Sequence, residues 1–249
     1  MGMGEDRHGG PRIAHFPQAG GLRASAETGV RPETARRLPR SFFERPTLEV
    51  ARDLLGRRLV RLEHGRWISG RIVEVEAYIG EDDQASHAAV GRTPRNAVMY
   101  GPPGHAYVYF IYGKHYCLNV VTEREGFPAA ILIRALEPEE GLERIARRRR
   151  GVPMRDWLRG PGRVCVGLGI DRRFNGHDLC TPGARLWLEE GEPVPDEAVA
   201  VGPRIGVRGD ALARRRPWRF YIRESPFVSG PRSRGVAPAR GLTGETKPL

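Results

Sequence analysis

The chain has 249 residues, 39% of them hydrophobic, and a formal charge of +11 from 41 basic and 30 acidic side chains. That length holds one large domain or two small ones with enough apolar residues for a core. It contains no run of about 18 apolar residues of the kind that crosses a membrane, and its N-terminus lacks the apolar stretch of a secretory signal. Cys117, Cys165 and Cys180 have no CxxC spacing, which argues against a disulfide scaffold or a cysteine zinc site and fits a reducing, cytoplasmic compartment.

The charge is uneven. Residues 1–40 carry seven Arg against four acids, and residues 231–249 carry four basic residues against one acid. Both ends are rich in Gly, Pro and Arg without a hydrophobic period. They read as a disordered basic tail (1–40) and a flexible tail (231–249) around a folded part at 41–230. A positive balance favours a polyanionic partner such as nucleic acid. Lysine is confined to Lys114 and Lys247, so a GC-rich coding sequence also explains the arginine abundance.

In chain order, Pro46 opens a helix that Gly56 ends, with Leu48, Ala51, Leu54 and Leu55 as its apolar face. Arg58–Leu62 and Arg66–Ile68 read as short strands turning at His64-Gly65, followed by a strand at Gly70–Ile79. Alternation along that strand puts Val73, Val75, Ala77 and Ile79 on a core face and Ile72, Glu74, Glu76 and Tyr78 on the other. Residues 80–104 form a long polar connection, a length that is often functional. Residues 106–121 read as a tyrosine-rich hairpin turning at Gly113-Lys114-His115, with Tyr112 at its tip. Pro128–Arg134 reads as a buried strand and Pro138–Arg150 as a helix stopped by Gly151. Gly160-Pro161-Gly162 opens a short helix over Arg163–Ile170. Short strands follow at Ala184–Leu188, Val201–Val207 and Trp218–Ile222. The fold class is therefore mixed α/β (α+β), a single compact domain with a curved, mainly antiparallel sheet, flanking helices and a protruding β-hairpin.

Two carboxylates on one face of an apolar strand are costly to bury without a purpose. Glu76 beside Tyr78 reads as a base next to an aromatic wall, or as a wet strand edge. Glu74 lies about 7 Å away on the same face, the separation of an inverting carbohydrate-glycosidase pair. Tyr107, Tyr109, Tyr112 and Tyr116 supply stacking surfaces of the kind that hold unpaired bases. Tyr107 and Tyr116 fit ordinary sheet packing, whereas Tyr112 fits a wedge pushed into a duplex. Arg134 and His87 taken singly read as a strand-end residue and a loop residue. There is no HExxH, CxxC, GxSxG or phosphate-cradling loop, so neither a metal nor a cofactor is expected.

Taken together and in order, Gly70-Arg71-Ile72-Val73-Glu74-Val75-Glu76-Ala77-Tyr78, His87, Thr93-Pro94-Arg95-Asn96, Tyr107-Val108-Tyr109-Phe110-Ile111-Tyr112-Gly113, Asn119 and Arg134-Ala135-Leu136-Glu137-Pro138 resemble the alkyladenine (3-methyladenine) DNA glycosylase family. The likeness continues through Gly160-Pro161-Gly162, Arg204-Ile205-Gly206-Val207 and Arg219–Ser229. The resemblance implies a monofunctional, monomeric enzyme that extrudes alkylated purines from double-stranded DNA and hydrolyses the N-glycosidic bond. By position, Glu76 would activate the water, with Arg134 and the Ile205 carbonyl helping to place it. Tyr78, His87 and Tyr109 would contact the extruded base, Asn119 would crowd the amino group of normal guanine, and Tyr112 would fill the gap in the duplex. Lys114 departs from the pattern beside that wedge. A carbohydrate O-glycosidase using Glu74 with Glu76, and a catalytically inert DNA-binding module, are the alternatives.

Overall fold

The computed structural model describes residues 36–231; the two terminal tails expected from composition otherwise lie outside the described residues. Its centre is a long strand, β2 (Arg66–Ile79), which continues through the stretch where the sequence suggested two strands. It is flanked on one side by β5 (Ala129–Glu140). On the other side it pairs with β1 (Arg58–Glu63) through its first half and with β8 (Arg219–Ile222) through its second. The hairpin β3 (Ala106–Ile111) and β4 (His115–Val121) joins at β5, while β6 (Leu186–Glu189) pairs with β1 and β7 (Val199–Gly202) with β8. Every pairing is antiparallel, which makes an eight-stranded sheet in an α+β domain.

Among the described residues five short α-helices accompany the sheet: α1 (Arg40–Phe43), α2 (Thr47–Leu54), α3 (Leu142–Arg148), α4 (Pro161–Leu168) and α5 (Ala211–Arg215). The apolar faces of α2, α3 and α4 share one core with Val75 and Ala77 of β2, Leu118 and Val120 of β4, and Ile131 and Ile133 of β5. Full burial of each Val, Leu or Ile contributes roughly 1.5–3 kcal/mol, so this apolar face anchors the sheet. The opposite face carries Tyr107, Tyr109, Asn119, Leu132 and Arg134, the residues that line a cleft. Strand alternation thus sorts the sheet into a packed side and a chemical side.

Three expectations are corrected. Val73 does not join the main core. A bulge in the β2–β5 pairing between Ile72 and Val75 shifts the alternation by one, so Ile72 packs there and Val73 sits in a separate cluster with Ala135, Tyr221 and Val228. Bulges bend a strand and re-aim its side chains. Pro138 does not open a helix; it lies within β5 opposite Gly70, at a second irregularity of the ladder where a missing N–H is tolerated. The helix begins only after Gly141, whose φ of 65° and closeness to Trp67 (an added Cβ would meet its carbonyl oxygen at 2.6 Å) require glycine. The hairpin turn is centred one residue earlier than expected: Ile111 pairs with His115, and Tyr112 lies inside the loop.

The folded part also begins before residue 41. Leu38 is buried, its amide donates to the Leu188 carbonyl, and Arg37 bridges to Glu189. Backbone pairing with Leu188 and Glu189 of β6, invisible from local composition, recruits this segment.

Candidate active site

Glu76 lies on β2 with none of its surface exposed. Its Oε1 accepts the amide N–H of Ile205 at 2.6 Å. Its Oε2 accepts the Tyr78 hydroxyl at 2.9 Å and Nη1 of Arg134 at 3.1 Å. A carboxylate offers about four acceptor positions, so three filled positions leave one. Arg134 reaches Glu76 because β5 runs beside β2 with Leu132 paired to Glu76 and Ala135 to Glu74. Burial opposes the Arg134 charge, yet Glu76 and then Glu74 outweigh it and raise its pKa above the ordinary arginine value. Burial, reinforced by Glu76, pushes the Tyr78 phenol well above its usual value. Tyr78 therefore remains a protonated donor to the carboxylate.

In front of this group opens a cleft of about 670 Å³. Tyr78, His87, Tyr109, Asn119, Arg134, Ile205 and Tyr112 all line it. The residues to which the family resemblance gave roles are thus on the wall except Glu76 itself, which sits directly behind three of them, Tyr78, Arg134 and Ile205. The Ile205 main chain meets Glu76 through its amide; the role that the resemblance implied for its carbonyl concerns the water.

The cleft's aromatic side is built by hydrogen bonds. His87 Nδ1 lies 2.8 Å from the Tyr107 hydroxyl, and the His87 ring meets Tyr109 edge-on at 4.4 Å. Burial, with Arg95 adding to it, lowers the His87 pKa, which keeps the imidazole neutral near pH 7. Burial likewise pushes the Tyr107 phenol to about 12, and that of Tyr109 still higher. Asn119 donates through Nδ2 to the Tyr107 carbonyl at 3.0 Å, which fixes its amide against the strand. Tyr107 was read as sheet packing. It is buried, but it also lines the cleft and holds His87. Its position two residues before Tyr109, on the same strand face, was the available signal.

The long connection is held rigidly. Asn96 Nδ2 donates to the carbonyls of His87 and Gly91, and its Oδ1 accepts the Thr93 amide. Asp83 and Arg204, both with fully buried side chains, form a two-pronged ion pair at 2.5 and 2.7 Å. The Arg204 guanidinium also lies over the Tyr78 ring at 4.7 Å. This pair therefore ties the connection to the residue preceding Ile205. Sequence reasoning missed it, because nothing local to Asp83 or Arg204 reports a partner 121 residues away.

At the cleft rim the character changes. Tyr112 is 75% exposed and takes a φ of 54°, a left-handed backbone that a tyrosine rarely adopts. Glycine follows with a φ of 64°, and the Lys114 amide closes the turn on the Ile111 carbonyl. The chain holds a large ring out of the core at some conformational expense, the pattern of a residue kept for contact with something else.

Glu74 is different from Glu76. Its Oε1 accepts Nε of Arg219 at 2.6 Å and Nε of Arg134 at 3.3 Å, and its Oε2 accepts the Ser229 amide at 2.6 Å. It is fully buried and takes no part in the cleft wall.

Among the described residues no helix is long and apolar enough to cross a membrane, and no group of three His, Cys, Asp or Glu side chains is placed to hold a metal ion. Residues 41–226 match the profile of the methylpurine-DNA glycosylase family. The chain is 53% identical over 194 residues to a protein of Methanocella arvoryzae named "Putative 3-methyladenine DNA glycosylase", covering 77% of this chain and 95% of that one. It is 51% identical over 203 residues to a protein of the same name from Myxococcus xanthus, covering 82% and 96%. A third so named, from Streptomyces avermitilis, is 50% identical over 195 residues, covering 77% and 90%. The profile match spans the strand that carries Glu76, the hairpin that carries Tyr112 and the segment that carries Ile205, so the chain belongs to the methylpurine-DNA glycosylase family and is a DNA glycosylase.

Proposed function

We propose that this chain is a monofunctional 3-methyladenine-type DNA glycosylase. It turns an alkylated purine out of duplex DNA and hydrolyses its N-glycosidic bond with water activated by Glu76, the opening step of base excision repair. The observation that carries this reading is one buried carboxylate with a vacant acceptor position behind an aromatic-lined cleft whose rim bears an exposed tyrosine.

The chemistry follows from the residues. A purine alkylated on a ring nitrogen is already cationic, so it leaves as a neutral base and needs no strong general acid. Water oxygen bonds to the sugar C1′, the C1′–N bond breaks with its electron pair going to the base, and the water proton passes to Glu76. Arg134 donates to the carboxylate from one side, and its own charge is secured by Glu76 and Glu74. Tyr109 and His87, which line the cleft, would offer ring faces and edges to the extruded base, and Asn119, on the same wall, would sense an exocyclic amino group. Extrusion costs a few kcal/mol, less for a weakly paired lesion, which favours damaged sites. Tyr112 then occupies the vacated stack. The basic surface supplies phosphate contacts on the DNA. The enzyme works as a monomer in the cytoplasm, at the nucleoid in a bacterium, and needs no cofactor for these steps.

The O-glycosidase alternative needs a second carboxylate facing the substrate. All three donors that hold Glu76 line the cleft, whereas two of the three that hold Glu74, Arg219 and the Ser229 amide, do not. An inert DNA-binding module would have no use for a buried carboxylate held with one acceptor position open. The deciding experiment is base release from methylated duplex DNA by the Glu76→Gln variant. Release is expected to fall about 10²–10⁴-fold while the variant still binds duplex containing an abasic-site analogue. Wild-type release by Glu76→Gln would refute the general base.

A further inference from the structure

We infer that Glu74 is a positioning residue that apportions the Arg134 guanidinium, so that Glu76 receives a single hydrogen bond from it and keeps an acceptor position open for water. The inference rests on the reading of Glu76 as the general base. Guanidinium and carboxylate groups pair most readily in a two-pronged fashion. Left alone with Glu76, Arg134 would close on both oxygens of that carboxylate. In the structure its three nitrogens go to three partners: Nε to Glu74 at 3.3 Å, Nη1 to Glu76 at 3.1 Å and Nη2 to the Ser229 hydroxyl at 3.3 Å.

Glu74 is itself fixed from two further sides. Arg219 donates to it at 2.6 Å while also holding the carbonyls of Ser229 and Pro231 at 2.7 and 2.9 Å. The Ser229 amide donates to its other oxygen. This clasp binds the chain after β8 to the middle of β2, and it delivers the Ser229 hydroxyl to Arg134. Its formal charges balance: the carboxylates of Glu74 and Glu76 against the guanidiniums of Arg134 and Arg219. Removing an anion alone would leave an uncompensated buried cation beside Glu76.

The test compares single-turnover release of 3-methyladenine from methylated duplex DNA. Glu74→Gln keeps the shape and an acceptor oxygen and loses the charge. Its rate should fall about 10–100-fold, with affinity for an abasic-analogue duplex within about twofold. Glu74→Asp, which keeps the charge, should lie closer to the wild-type rate than Glu74→Gln does. If Glu74→Gln does not fold, Ser229→Ala serves: it frees Nη2 to swing toward Glu76, so the rate should fall several-fold with binding unmoved. A wild-type rate in Glu74→Gln, a loss of binding equal to the loss of rate, or a wild-type rate in Ser229→Ala overturns the inference. Glu76→Gln in parallel separates the two claims. If it still releases base, the general-base reading has failed; if it is dead while Glu74→Gln is normal, only the role of Glu74 has.

Discussion

The floor of the cleft and its rim obey opposite rules. At the floor, Glu74, Glu76, Arg134, Arg204, Asp83 and Arg219 are all buried, and each carboxylate is held by two or more donors. At the rim, Tyr112 is exposed, on a hairpin whose turn depends on left-handed backbone. Buried ion pairs add little net stability, but losing one partner is severe. Exposed apolar rings add nothing to folding. The floor is therefore preorganised for a reaction in which charge must be met without rearrangement. The rim is available for a partner. The two regions should consequently separate in experiment, the floor answering in rate and stability and the rim in capture.

The sharpest test of that division is at Glu76, where the expected loss of base release is the largest of all, with DNA capture intact. Next comes Asp83→Ala. It strands the Arg204 cation, which keeps the Ala77 and Ala213 carbonyls and the faces of Tyr78 and Trp218 but loses its carboxylate. A loss of about 3–5 kcal/mol in urea unfolding is expected, together with reduced release, because the Ile205 amide and the Tyr78 ring lose their common anchor. An unchanged midpoint would mean the floor is less dependent on paired charge than its geometry implies.

How much of this was legible in the sequence depends on the range of the interaction. Alternation over residues 74–79 correctly set Glu76 and Tyr78 against Val75 and Ala77, because period-two patterning is local. The placement of Val73 was lost to a bulge, which arises from pairing with β5 and leaves no mark on β2 itself. Pro138 looked like a helix opener because its local neighbours are acidic; its true role depends on Gly70 opposite. The clasp of Asp83 on Arg204 and of Glu74 on Arg219 joins residues 121 and 145 positions apart, and a single charged residue carries no hint of such a partner. The Ile205 amide was beyond side-chain reading altogether. On the cleft wall, the ordered family motifs pointed to seven residues and passed over others such as Gln84, Met99 and Leu132.

At the rim, Tyr112→Ala should leave urea stability within about 0.5 kcal/mol of wild type. Affinity for an abasic-analogue duplex should drop by roughly 1–3 kcal/mol if the ring stacks in the vacated space. Binding curves for the two proteins decide it. Unchanged affinity, or a lower unfolding midpoint, would move Tyr112 from the rim's category into the floor's.

The mildest effect belongs to His87, which stands between the two regions. Burial lowers its folded-state pKa below the unfolded value near 6.5, so the unfolded chain binds more protons in the interval between them. Stability conferred by the neutral ring is present above pH of about 6.5 and is lost as pH falls toward the folded value. His177 is shifted the same way by burial, so only part of the slope belongs to His87. Urea midpoints measured from pH 7.5 to 5 should therefore decline in the wild type and decline less steeply in His87→Gln. If the two slopes coincide, the imidazole is solvated enough to titrate freely, and the aromatic wall of the cleft is as open as the rim.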